Sequence, residues 1–202
     1  MKIGLYFGTY NPIHVGHLVI ANYMVDYTNL DQVWLVVTPQ NPHKNKASLL
    51  SDYHRLAIVR IAVENNPKLK ASNIEFDLPK PSYTITTLTY IQEKYPEYDF
   101  SLIMGEDNLR TLHKWKNHEE IINNHNIFVY PRALTEQERN NQINLETENK
   151  YENHPNVTLC DAPVMKVSSS FIRKAIKEKK DVQYLLTDPV FKYVSEMHFY
   201  EK

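Results

Sequence analysis

Residues 1–38 run MKIGLYFGTYNPIHVGHLVIANYMVDYTNLDQVWLVVT, a pattern that the rest of the chain repeats. Ile3, Leu5 and Phe7 alternate in a short run that stops at Gly8 and Asn11-Pro12, while residues 32–38 (QVWLVVT) form a near-continuous apolar run stopped by Pro39. Both patterns are strand signals, and the unbroken one belongs to a strand buried on both faces. Between them Val15, Leu18, Val19, Asn22 and Val25 give a mostly apolar face at helical spacing, so the stretch predicts one strand-helix-strand unit. The pattern repeats downstream. Ser51 is placed to cap a helix through Leu56, Val59, Arg60 and Val63, residues 71–76 read as a strand, and residues 83–95 as a helix ended at Pro96. Residues 100–104 and 127–130 read as strands around a short helical piece at 118–124, and a further strand follows at 157–160. Residues 168–177 then read as a helix, and Asp188-Pro189 caps and starts a last one whose Val190, Tyr193, Val194 and Met197 share a face. Such alternation predicts an α/β fold with a doubly wound parallel sheet covered on both faces. Residues 133–156, rich in Glu, Asn and Gln and without a period, read as a solvated loop or exposed helix inside one domain spanning 1–202, whose C-terminal part is helical from about residue 168.

Composition removes several function classes. Lys+Arg 23 against Asp+Glu 24 leaves a formal charge of -1, without the basic footprint of a nucleic-acid binder. A single cysteine, Cys160, allows no intramolecular disulfide and no Cys-rich zinc site, which fits a reducing, cytoplasmic setting. Neither a leader-length apolar stretch nor an apolar run of about 18 residues occurs, so no membrane association is expected. The four glycines, Gly4, Gly8, Gly16 and Gly105, can spell neither G-x-G-x-x-G nor G-x-x-x-x-G-K-[ST]. A phosphate site in this chain must therefore be built another way.

In an open parallel sheet, ligands bind beyond the carboxyl ends of the strands where strand order reverses. Five polar clusters fall at those ends: residues 8–17, 38–44, 105–107, 131–132 and 168–173. His14 and His17, spaced i, i+3 at a helix start, can face one anion near unpaired amides, whereas zinc would need further ligands and usually wider spacing. Lys44, after His43 in a loop stiffened by Pro39 and Pro42, offers a cation or is an ordinary solvated lysine. Ser168, Ser169 and Ser170 open a helix with Arg173 in its first turn, where a cation is disfavoured unless an anion compensates it, so the group reads as a polyphosphate site. Asp107 reads as an acceptor for ribose hydroxyls or as a helix cap, and Trp115 as a stacking surface or a packing residue. The amides that start the helix near Ser82 and Tyr83, with the hydroxyls of Thr84 and Thr87, make a set of donors suited to a carboxylate.

These residues together resemble a known family, the nucleotidyltransferases whose first strand ends in a T/H-x-G-H motif, and within it the bacterial nicotinate-nucleotide adenylyltransferases. The resemblance covers essentially the whole chain: GTYNPIHVGH at 8–17, NPHK at 41–44, SYTITTL at 82–88, MGEDNL at 104–109, Trp115, YPR at 130–132, SSSFIR at 168–173 and the closing helix. H-x-G-H is shared with relatives, and SYTITTL is the more specific segment. The resemblance implies a Rossmann-like sheet of the nucleotidyltransferase type and transfer of AMP from ATP to nicotinate mononucleotide, giving deamido-NAD and pyrophosphate. It further implies His14, His17, Lys44 and Arg173 as catalytic residues, with Mg²⁺ accompanying ATP and no protein metal ligands. ATP would be bound by Gly8, Thr9, Tyr10, His14, His17, Gly105, Asp107, Arg132, Ser168, Ser169, Ser170 and Arg173. The mononucleotide would be bound by Asn11, Lys44, Ser82, Tyr83, Thr84, Thr87 and Trp115. Three positions depart from the family pattern: Phe7 stands at a usual glycine, Asn11 at a usual aspartate and Ser170 at a usual threonine.

Rival readings use the same residues. A pantetheine-phosphate adenylyltransferase would share the histidine motif but not need SYTITTL. A class I aminoacyl-tRNA synthetase is faintly suggested by KVSSS at 166–170 but would need a second lysine and an anticodon domain. A non-catalytic nucleotide sensor on this fold would bind ATP without releasing pyrophosphate.

Overall fold

The computed structural model describes residues 1–39, 49–132 and 150–201. Strand β1 (Lys2–Gly8) is followed by helix α1 (Val15–Tyr27), β2 (Gln32–Val37), α2 (Asp52–Val63), β3 (Leu69–Ser72) and α3 (Thr84–Lys94). Then come β4 (Asp99–Gly105), α4 (Glu106–Thr111), a 3₁₀ turn (Leu112–Lys114), α5 (His118–Asn124) and β5 (Ile127–Tyr130). After β6 (Val157–Leu159) the chain closes with α6 (Ser169–Lys177), a second 3₁₀ turn (Gln183–Leu185) and α7 (Asp188–Glu196). The described strands form one six-stranded sheet in the order β3-β2-β1-β4-β5-β6, with every pairing parallel. Strand order therefore reverses between β1 and β4, and a crevice opens where Gly8 and Gly105 end those strands.

Period-two alternation along β1 and β2 divides the core into two layers. Ile3, Leu5, Trp34 and Val36 pack with α3, α4 and α5 residues such as Leu88, Ile91, Leu109 and Ile121. Tyr6, Val33, Leu35 and Val37 pack on the other face with Ile20 and Met24 of α1, Val59 of α2, Ile172 of α6 and Val190 of α7. Ser51 does cap α2, its hydroxyl accepting from His54 N at 3.3 Å. No described helix is long and apolar enough to cross a membrane.

Two elements differ from the sequence expectation. The strand expected over 71–76 occupies Leu69–Ser72 instead, because its partner β2 pairs with it only as far as Val36↔Ser72. Beyond that the chain turns, with Phe76 N bonded to Asn73 O, and carries Ile74 and Glu75 inward. In the last helix Thr187, not Asp188, is the N-cap residue, and Asp188-Pro189 form the first turn, where proline's missing N–H costs nothing. Most of the polar stretch at 133–156 lies outside the described residues, as does the whole of Gln40 to Ala47 with Ser48.

Candidate active site

The loop after β1 is shaped by Tyr10. Its backbone adopts a positive φ of 43°, its ring folds back over Gly8, and its hydroxyl donates to Tyr6 O at 2.5 Å. A Cβ on Gly8 would lie 2.7 Å from that ring, so only glycine fits there. Tyr10, expected among the ATP-binding residues, is fully buried, its side chain a wedge under the loop. His14 is the N-cap residue of α1, and its backbone N–H donates to His17 Nδ1 at 3.3 Å. The two rings stack with centroids 3.8 Å apart. A Cβ on Gly16 would come within 3.1 Å of the His14 ring, which explains the glycine between the histidines. Burial lowers the His14 pKa to about 4, so this ring is neutral at pH 7.

Helix α6 is fastened to the same loop. Ser168 caps it through Phe171 N (3.2 Å), Ser169 donates to Pro12 O (2.8 Å), and Arg173 donates to Asn11 O (2.8 Å) and Ser170 Oγ (3.3 Å). Arg173 lies one residue beyond the first turn where the sequence reading put it, because the helix starts at Ser169 with Ser168 outside it. The Asn11 side-chain oxygen accepts from Leu50 N (3.2 Å) and from the Tyr200 hydroxyl (2.9 Å), which ties the loop to the C-terminal tail. His14, His17, Gly8, Thr9, Ser168, Ser169, Ser170, Arg132 and Arg173 all line one cavity of about 370 Å³. Its described walls contribute imidazole, hydroxyl, amide and guanidinium groups and no carboxylate, the chemistry of a polyanion site.

A second cavity, of about 400 Å³, lies across the β1/β4 crevice and is lined by Ser82, Tyr83, Thr84 and Trp115 together with Lys114 and Lys116. Thr84 and Ile85 are the first residues of α3, where backbone N–H groups have no intrahelical partners, and Thr84 belongs to the cavity lining. Three expectations change here. Thr87 is fully buried behind the wall, its hydroxyl donated to Glu75 Oε1 at 2.7 Å, so it is not a free donor. Asn11 sits with the histidine cavity and not with the Trp115 cavity. Asp107, expected near ATP, lines the Trp115 cavity, where it pairs with Arg132; it does not cap α4, whose N-cap residue is Gly105. Gly105 itself lines neither cavity, and Lys44 lies outside the described residues.

Tyr6, Phe7, Gly8, Thr9, Asn108, Tyr130 and Arg132 line both cavities and so mark where they join. The Tyr6 hydroxyl donates to that of Tyr130 at 3.2 Å, and burial raises both pKa values, keeping both groups protonated. Sequence reasoning missed Arg55, Glu75 and Asn108. Arg55 had a legible signal, since it lies four residues before Val59 on the apolar face of α2, where an arginine must be fully paired.

Comparison with known proteins fits this geometry. A cytidylyltransferase-like family model matches residues 5–175. The chain is 55% identical over 202 residues, the full length of both chains, to a probable nicotinate-nucleotide adenylyltransferase of Flavobacterium psychrophilum. The chain belongs to the nicotinate-nucleotide adenylyltransferase family. A Bacteroides fragilis member of that family is 42% identical over 193 residues, covering 96% of this chain and 90% of the relative. The fold is also that of the Plasmodium falciparum nicotinic acid mononucleotide adenylyltransferase solved with NaAD, at a TM-score of 0.77, 18% identity, and coverage of 99% and 97% of the two chains. The six-stranded parallel order around β1 and β4 is thus the Rossmann-like sheet of the nicotinate-nucleotide adenylyltransferases, and the paired cavities lie at its switch point.

Proposed function

We propose that this protein transfers AMP from ATP to nicotinate mononucleotide, forming the deamido dinucleotide and pyrophosphate in NAD biosynthesis. The single observation that carries the reading is the junction: a cation- and amide-lined cavity over His14 and His17 opens directly into a Trp115-walled cavity of mononucleotide size. The 5′-phosphate oxygen of the mononucleotide attacks the α-phosphorus of ATP, the bond from that phosphorus to the bridging oxygen breaks, and pyrophosphate leaves. No serine or cysteine nucleophile is required, so the protein's work is alignment and charge stabilisation.

In this reading His14, neutral in the free protein, and His17 give hydrogen bonds to the α-phosphate and the departing oxygens. Arg173 and the amides that open α6 hold the polyphosphate, with Gly8 and Thr9 giving backbone room beside it. Lys44, outside the described residues, adds a cation in this reading. Trp115 stacks on the pyridine ring, the free amides at the start of α3 beside Thr84 meet its carboxylate, and Asp107 takes ribose hydroxyls. Among the described residues no cluster of His, Cys, Asp or Glu could hold a metal ion, and the histidine cavity suits phosphate oxygens. In this reading Mg²⁺ accompanies ATP, where it would offset phosphate charge.

A pyrophosphate-release assay with nicotinate mononucleotide, nicotinamide mononucleotide and phosphopantetheine as acceptors tests the assignment. The expected result is turnover with the nicotinate acceptor and a kcat/KM at least about tenfold above that for the amide, because an NH₂ facing N–H donors leaves buried groups unpaired. Turnover with phosphopantetheine alone would reject it, and nucleotide binding without pyrophosphate would indicate a sensor. Arg173→Ala should raise the KM for ATP about tenfold or more, with Arg173→Lys recovering only part, since a lysine cannot hold both Asn11 O and phosphate oxygens. A KM rise confined to the mononucleotide would move Arg173 to the other substrate.

A further inference from the structure

The floor of the Trp115 cavity holds a carboxylic acid that adenylyl transfer does not call for. Glu75 follows β3 in the turn that leaves the sheet and is 1% exposed, yet it belongs to the cavity lining. Its Oε1 accepts from Thr87 of α3 at 2.7 Å, while Oε2 has no hydrogen-bond partner. Thr38, just after β2, and Ser82, in the turn before α3, lie close enough to act on it electrostatically, but the Ser82 hydroxyl makes no hydrogen bond to it. The carboxyl is therefore bonded to α3 and packed near the Thr38 and Ser82 segments, and among the described residues one oxygen remains uncommitted beside the space where an acidic acceptor must sit.

We propose that Glu75 is a positioning residue that sets acceptor choice: it holds the Ser82 to Thr84 turn and the start of α3 against β2, and it carries a proton on its free oxygen when a carboxylate-bearing pyridine is bound. This rests on the functional reading above. Two carboxylates facing one small buried space cannot both ionise without a large penalty, and the substrate's is the one met by the amides of α3. An ionised Glu75 would instead repel the acid and accept from a carboxamide NH₂. Among the described residues the groups packed around it give the carboxyl no cationic partner: Thr38, Ser82 and Thr87 are hydroxyls, and Asp77 and Lys80 on its own segment are exposed. Across the cavity Asp107 is paired with Arg132, and Lys116 lies over the Tyr83 ring at 5.0 Å, with Lys114, Tyr6 and Tyr130 completing the ionisable set among the described residues. Burial raises the Glu75 pKa in agreement, with the three hydroxyls opposing it.

The test is the ratio of kcat/KM for nicotinate mononucleotide to that for nicotinamide mononucleotide, measured from roughly pH 5.5 to 8.5. Both acceptors carry the same phosphate and meet the same histidines, so titrations common to them cancel in the ratio. The wild-type ratio should fall about tenfold or more as pH rises and Glu75 loses its proton. Glu75→Gln, which keeps the acceptor for Thr87 and a permanent N–H, should give a ratio that is flat with pH, with the KM for ATP unchanged. A wild-type ratio that does not move with pH, or a slope that persists in Glu75→Gln, overturns the proposal and leaves the adenylyl-transfer reading standing. Absence of turnover with either mononucleotide overturns both.

Discussion

His17→Ala should lower kcat by roughly two to three orders of magnitude while the protein stays folded. The ring sits at the third position of α1, stacked on His14 and edge-on to Tyr10 at 5.1 Å, half-buried with one side in the phosphate cavity. Its ring accepts a weak bond from His14 N at 3.3 Å, and alanine is a good helix former, so the stability cost is about 1 kcal/mol or less. Its catalytic duty is larger, because a donor aimed at charge that grows in the transition state acts in a water-poor cavity and needs no reorganisation. Single-turnover rates with saturating ATP and mononucleotide, set beside a thermal melt, separate the two. A melting temperature that collapses in step with the rate would mean that His17 supports the loop and not the reaction.

Arg55 carries the largest expected effect on stability. Fully buried in α2, its guanidinium donates to Thr9 O (2.5 Å), Thr38 O (2.9 Å) and Leu50 O (3.1 Å), and it pairs with Asp52 at 2.7 Å. Thr9 and Thr38 follow the ends of β1 and β2, so one side chain clamps the two strand ends that frame the site. Arg55→Ala would leave several buried carbonyls unpaired around a void and Asp52 with Lys80 alone, at a cost of about 3 to 5 kcal/mol. For a chain of this size that corresponds to a fall in Tm of about 10 °C. Arg55→Lys should recover only a fraction, since an ammonium cannot span carbonyls that the planar fork reaches. A melt within about 2 °C of wild type for Arg55→Ala would show that the clamp contributes little.

The parts of this site that were legible in the sequence are those where a short motif coincides with an element boundary. His14 and His17 mark a helix start, Ser168 its N-cap counterpart on α6, and residues 118–124 form the short helix that their pattern describes. The parts that were not legible depend on where side chains go after a turn. Tyr10 looks like a ligand contact in GTYNP, but its positive φ turns the ring inward over Gly8. Thr84 and Thr87 look equivalent at i, i+3, yet Glu75, brought beneath α3 by the early end of β3, takes the second hydroxyl. Asn11 reads as an acceptor-site residue, whereas its oxygen is held by Leu50 and by Tyr200, 189 residues away, a contact that no local pattern encodes. Phe7, in place of a usual glycine, lines both cavities without closing their junction, because β1 alternation turns it toward the α3 face of the sheet.

The central claim is that the two joined cavities are the two halves of one dinucleotide site. A crystal structure with the deamido dinucleotide bound tests it most directly. The adenylate should lie beside His14, His17 and the start of α6, the pyridine ring against Trp115 with its carboxylate at the Thr84 and Ile85 amides, and the phosphates between them at Tyr130 and Arg132. A dinucleotide bound in the reverse orientation, or held wholly outside the Trp115 cavity, would contradict the account.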